Sequence, residues 1–126
     1  MELEINSVER KPCFFEISLA GRLDSVTYSQ LEQMLDALMQ TPVKAIALDM
    51  SRLDYISSMG LRVVFKTMKA LKTGNGILLV TNMQPQVKKV FEIANALPDD
   101  SIFASVQEAD EYYEIIQEKV KKANQF

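Results

Sequence analysis

Histidine and tryptophan are absent from this chain, and cysteine occurs once, at Cys13. Without histidine the usual zinc sites and the Ser-His or Cys-His nucleophile pairs cannot be assembled, and a single thiol allows no intrachain disulfide. Glycine is sparse, with four residues scattered at 21, 60, 74 and 76, so no Walker or dinucleotide-binding loop is present. A basic excess is missing as well: the formal charge is -3 and the pI is near 5.0, which argues against general nucleic-acid binding. The longest aliphatic run, Ile77-Leu78-Leu79-Val80, is far too short to cross a bilayer, so membrane insertion is not expected. The opening Met-Glu-Leu-Glu-Ile is acidic and alternating, unlike a signal peptide. These absences lead us to expect a cytoplasmic protein with no metal and no cofactor, and not an enzyme.

What remains is the composition of an ordinary globular domain. Apolar residues make up 48% and charged residues 25% of 126, enough chain for one core and not for two. We expect one domain over residues 1–120 and a frayed tail over 121–126, with no linker or repeat.

Leu3 and Ile5, and then Cys13, Phe15, Ile17 and Leu19, alternate with polar residues at the period of half-buried strands, with Glu9 to Pro12 as the hairpin connection and Cys13 a small buried hydrophobe. Gly21 is expected to end the second strand, and Arg22 to Ser25 to form an exit loop. Thr27-x-x-Gln30 reads as a capping box for a helix whose apolar stripe is Tyr28, Leu31, Met34, Leu35 and Leu38, stopped at Thr41-Pro42. Val43 to Asp49 is apolar on both faces, as in the middle of a sheet, and Asp49 to Tyr55 reads as a polar loop at its carboxyl end.

A second helix follows, with Leu61, Val64, Phe65, Met68 and Leu71 inward and Arg62, Lys66, Lys69 and Lys72 outward. Thr73-Gly74-Asn75-Gly76 is a turn into the strand Ile77 to Val80. Pro85 opens a third helix carrying Val87, Val90, Phe91 and Ala94, which Leu97 to Asp100 breaks. A short strand near Ile102-Phe103 and a capping box Ser105-x-x-Glu108 lead to a last helix, with Ala109, Tyr112, Tyr113, Ile116 and Val120 inward. The order ββαβαβαβα implies an α/β fold, a mainly parallel five-stranded sheet with helices packed on it and an antiparallel first pair.

Ile56-Ser57-Ser58-Met59-Gly60-Leu61 stands between the central strand and the second helix. Hydroxyls there can simply cap the helix amides. A phosphate on either serine would also be favoured by the helix dipole, which makes this loop a candidate phosphorylation site. Met59 lies off the buried stripe and is either an idle or a partner-contacting side chain. Asp24 and Asp49 are either loop-capping carboxylates or the edge of the same surface, and the cationic helix face is either solvated or turned to an acidic partner.

The run Asp49-Met-Ser-Arg-Leu-Asp-Tyr-Ile-Ser-Ser-Met-Gly-Leu-Arg62 resembles the signature of the STAS domain family, particularly the bacterial anti-sigma factor antagonists. Gly21-Arg22-Leu23-Asp24 resembles the family's Gly-x-Leu-Asp, and the order of elements agrees from Leu3 to Val120. The resemblance implies a partner switch. The unphosphorylated antagonist binds an anti-sigma factor that is also a serine kinase, phosphorylation of the motif serine releases it, and a protein serine phosphatase resets the cycle. Aligned on Gly60, the phosphoserine falls on Ser58, and Ser57, standing where relatives often carry Asp, is the second choice as acceptor. The contact surface so implied comprises Asp24, Ser57, Ser58, Met59 and Arg62, supported by Asp49, Asp54 and Gly60. The other role open to such a domain is a scaffold or transporter-associated subunit that never cycles.

Overall fold

A computed structural model describes residues 2–94 and 101–124, the last five as backbone. The strands are β1 (Leu3–Lys11), β2 (Phe14–Leu23), β3 (Ala45–Ile56), β4 (Ile77–Thr81) and β5 (Ile102–Phe103). They alternate with α1 (Tyr28–Leu38), α2 (Ser58–Thr73), α3 (Pro85–Ala94) and α4 (Val106–Asn124) in the expected ββαβαβαβα order. The sheet order is β1-β2-β3-β4-β5, antiparallel for the first pair and parallel thereafter, so the apolar β3 is central. The backbone of α4 runs to Asn124, into the stretch expected as a tail. The expected break at Leu97 to Asp100 and the inward Val120 lie outside the described residues.

Alternation along β3 splits the interior in two. Ile46, Leu48, Met50, Leu53 and Ile56 face one side, where they meet Leu31 and Leu35 of α1, Leu61, Val63, Val64 and Leu71 of α2, and Val87 and Phe91 of α3. Ala45 and Ala47 face the other, a smaller core made with Phe14, Leu79, Phe103, Ala109 and Tyr113. Alanines on β3 let α4 approach the sheet, and Phe14 meets Tyr113 edge-to-face with ring centroids 4.5 Å apart. Lys11 ties the hairpin to the same helix through ion pairs with Asp110 and Glu114.

Several boundaries differ from the sequence reading. β1 continues through Glu9 and Arg10 to Lys11, and the turn is Pro12-Cys13. Cys13 is therefore a half-buried turn residue with φ 68, not a strand hydrophobe. That conformation aims its carbonyl at the amides of Lys44, just before β3, and Ala45, its first residue, at 2.8 and 3.1 Å. Phe14, not Phe15, fills the core.

Gly21 does not end β2, and Asp49 to Tyr55 is not a loop. The two misread segments are ladder partners, with Gly21 beside Leu53, Arg22 beside Tyr55 and Leu23 beside Ile56. Register shifts in this stretch put Met50, Leu53 and Ile56 inward at a spacing of three, which hides the period of two. At Gly21 φ is +106, and a β-carbon would collide with the Glu2 carbonyl. The Thr27 box also fails: its hydroxyl donates to the Arg22 carbonyl at 2.7 Å and accepts from the Asp24 amide at 2.9 Å, so it closes the loop and makes no cap bond to α1. Ala94 is exposed, whereas Val63 and Thr67 join the buried side of α2. Ser105 does cap α4, its Oγ accepting from the Glu108 amide, but Glu108 returns to the Ala104 amide and not to that of Ser105, so only the forward half of the box forms.

β1 is an outer strand with Glu4, Asn6, Val8, Glu9 and Arg10 exposed and a bulge between Glu9 and Lys11. Phe14→Ala empties the centre of the smaller core and is expected to cost about 3–5 kcal/mol. Urea denaturation measures it, and a loss below about 1 kcal/mol would mean that α4 does not depend on that core.

Candidate functional site

The carboxyl ends of β2 and β3 lie side by side, and the turns leaving them form one surface. The Ser57 amide donates to the Leu23 carbonyl at 2.8 Å, which carries the ladder one step past Ile56 before α2 begins. Ser57 is the helix cap: its backbone is extended at φ -94, ψ 172, and its Oγ accepts from the Gly60 amide at 3.2 Å. Ser58 is the first helical residue and is exposed, and its hydroxyl has no hydrogen-bond partner among the described residues. The two serines thus divide the roles open to either one in the sequence.

Gly60 is buried beneath them. A β-carbon there would lie 2.6 Å from Leu23 Cγ and 3.1 Å from Ile56 Cγ1, so its lack of a side chain lets the helix start rest on the strand ends. It supports the surface from below and is not part of it. Met59 is half-buried and Arg62 is exposed one turn beyond Ser58.

Asp24 shapes the neighbouring loop. Its Oδ1 accepts from the amides of Val26 and Thr27, both at 2.9 Å. Those bonds, Thr27 first, hold its carboxyl below the ordinary carboxylate range, against some desolvation and with help from Arg22. It is the loop-capping carboxylate of the two readings, placed at the edge of the Ser58 surface.

Asp49 is elsewhere. It sits inside β3 opposite Ser18 and Thr81, and its Oδ1 accepts from the Ser51 amide at 3.0 Å and from Asn82 Nδ2 at 3.2 Å. From Asp49 to Ile56 the extended chain covers roughly 20 Å, so it does not edge the serine loop. Asp54 is exposed on the other side of β3, where its Oδ1 accepts from Gln84 Nε2 at 3.3 Å and its carbonyl from Gln86 Nε2 at 3.2 Å. Gln84 Nε2 also reaches the Ser51 carbonyl at 3.1 Å. β4 pairs with β3 only as far as Asp49, and these two amides cover part of the edge that β4 leaves open.

Sequence reasoning did not find Arg22 and Tyr55. The Arg22 guanidinium lies 4.1 Å over the Tyr55 ring and 3.8 Å from Asp24 Oδ2. Tyr55 is 41% exposed and Val26 on the adjoining loop 80% exposed, an apolar side chain with no packing reason to be there. The signal was their position, each next to a residue already singled out. On α2, Lys66 is not free for a partner, since it pairs with Glu32 at 3.3 Å and Asp36 at 3.6 Å on α1.

No cluster of metal-ligating side chains occurs among the described residues, and no described helix is long and apolar enough to cross a membrane. The shallow cleft lined by Asn82, Met83, Lys88, Ile102, Phe103 and Ala104 lies across the sheet on the β4–β5 side. What the Ser58 turn offers is a free hydroxyl at the start of α2, with half-buried Met59 beside it and exposed Arg62 one turn on.

Ser57→Ala removes the cap and is expected to cost about 1 kcal/mol, whereas Ser58→Ala stays within about 0.5 kcal/mol of wild type. Equal losses in urea denaturation would undo the division between them. For Asp24 the folded pKa lies below the unfolded one. Its stabilising contribution is therefore complete above the unfolded value and lost as pH falls through the folded one, that is, downward from about pH 4. The stability gap between wild type and Asp24→Asn is expected to close over that window in thermal melts; a gap independent of pH would refute the assignment.

The profile of the STAS domain matches residues 4–109. BtrV of Bordetella bronchiseptica, provisionally named an anti-sigma factor antagonist, is 42% identical over 79 residues, which are 63% of this chain and 68% of BtrV. The anti-sigma-B factor antagonist of Staphylococcus aureus is 29% identical over 80 residues, 64% of this chain and 74% of that protein. Among solved structures, the anti-sigma factor antagonist SpoIIAA in its unphosphorylated form superposes with a TM-score of 0.79 at 23% identity, over 88% of this chain and 96% of SpoIIAA. The phosphorylated form of the Bacillus cell fate determinant SpoIIAA gives 0.73 at 22%, over 87% and 99%. At those identities the structural likeness is one of fold. The sequence match over most of the length, together with the order of strands and helices, establishes that the chain belongs to the STAS domain family.

Proposed function

We propose that this chain is an anti-sigma factor antagonist working by partner switching. Unphosphorylated, it binds an anti-sigma factor with serine kinase activity through Asp24, Ser57, Ser58, Met59 and Arg62. Arg22, Val26 and Tyr55 extend that surface. The kinase transfers a phosphoryl group from ATP: the Ser58 oxygen forms the new P–O bond, ADP leaves, and the hydroxyl proton passes to a base of the kinase. A protein serine phosphatase removes the group by hydrolysis. The chain acts in the cytoplasm as the regulated partner and performs no catalysis itself.

The observation that carries this reading is the state of Ser58, exposed on the first turn of α2 with its hydroxyl unused, beside a second serine that does the capping. The names of the relatives in Bordetella and Staphylococcus support the antagonist role. That SpoIIAA has been solved in both forms supports the phosphorylation. Asp49 and Asp54, held by Asn82 and Gln84, act through the scaffold, and Gly60 through packing.

Phosphorylation adds about -1.5 to -2 charges and three acceptor oxygens to a contact surface that must shed water on binding. A penalty of about 3 kcal/mol weakens the complex by about two orders of magnitude. No change of fold is needed. Purified protein incubated with a candidate serine kinase and ATP should gain the mass of one phosphate, and Ser58→Ala should gain none. In calorimetry with that kinase, Ser58→Ala should bind as wild type does and Ser58→Asp at least about tenfold more weakly. Full phosphorylation of Ser58→Ala, or matching affinities for the two variants, would defeat the proposal.

A further inference from the structure

Ser58 and Arg62 stand one turn apart on α2, and both are exposed. Residues four apart on a helix share a face, with β-carbons about 5–6 Å apart, and helical side chains lean toward the N-terminus. The long Arg62 side chain therefore extends back toward the turn that carries Ser58.

Arg62 is also uncommitted. Among the described residues it has no ion pair, no side-chain hydrogen bond and no aromatic ring beneath it, whereas the next cation along the stripe, Lys66, is held by Glu32 and Asp36. Its own helix offers nothing to hold it, since Ser58 to Thr73 contains no Asp or Glu. An anion placed four residues N-terminal to a cation is the favourable order on a helix.

We propose that Arg62 is the positioning residue for a phosphate on Ser58, pairing with its oxygens as soon as the ester forms. The inference rests on the Ser58 switch and deepens it. In the unmodified surface Arg62 is available to an acidic group of the protein partner. In the modified surface it is turned onto the phosphate. One covalent event thus changes two charges at the interface, adding an anion and withdrawing a cation. A guanidinium suits this role because its donors meet phosphoryl oxygens in pairs, while an ammonium meets them as a point charge.

The pairing favours the dianion and so lowers the second pKa of the phosphate, ordinarily near 6. Phosphoserine installed at position 58 during translation makes the test independent of any kinase. In phosphorus NMR titrations of the full chain, the wild-type midpoint should lie about 0.15–0.4 pH unit below that of Arg62→Gln. Arg62→Lys should recover about half of that shift, and salt at about 1 M should largely abolish it. Equal midpoints for wild type and Arg62→Gln at low salt would overturn the pairing and leave the Ser58 switch standing. Failure of the kinase to mark Ser58 would sink the switch and leave this titration untouched.

Discussion

Leu23 occupies the space that any side chain at position 60 would need. That contact sets the height at which α2 meets the ends of β2 and β3, and everything displayed above it inherits the setting. Because the helix start rests on Leu23 and Ile56, the Ser57 amide reaches the Leu23 carbonyl and the Ser57 hydroxyl reaches the Gly60 amide. With those orphan donors satisfied by one serine, the next points into water. The free hydroxyl at this turn is thus a product of core packing.

The order of elements and the central place of β3 were legible because they depend on runs long enough for periodicity to show: the stripe of α2, and apolar residues on both faces of Ala45 to Leu48. What was not legible depends on pairing between distant segments. Arg22-Leu23 and Tyr55-Ile56 each look like loop on their own and become strand only beside one another. Cys13 fits a strand by its neighbours, yet the carbonyl of that turn is needed by β3, and the backbone takes the left-handed region to supply it. For the site, Ser58 could be singled out by its neighbours in the chain. The separation of Asp49 from it could not, since that follows from β3 being a strand and not a loop. The Arg22–Tyr55 stack was hidden for the same reason.

Charge is distributed to match this division. α1 and α2 meet through Glu32, Asp36 and Lys66, so the middle of the cationic stripe is consumed inside the molecule. The acid on the Ser58 side, Asp24, is tied to the Thr27 and Val26 amides, which lower its pKa. On the opposite face of the sheet, α4 is fastened by Lys11 and by Phe14 against Tyr113. Docking of that helix and the chemistry of the serine turn therefore involve different side chains and can vary independently.

The outermost strand carries a hazard of its own. An unpaired strand edge is a template on which a second chain can polymerise. β1 places Glu4, Glu9 and Arg10 in water along that rim, and the irregularity before Lys11 breaks its straightness. Charges in water along the rim and the break in its straightness discourage edge-to-edge pairing without any loss of hydrophobic burial elsewhere. The charged rim is thereby a poor template for a further strand.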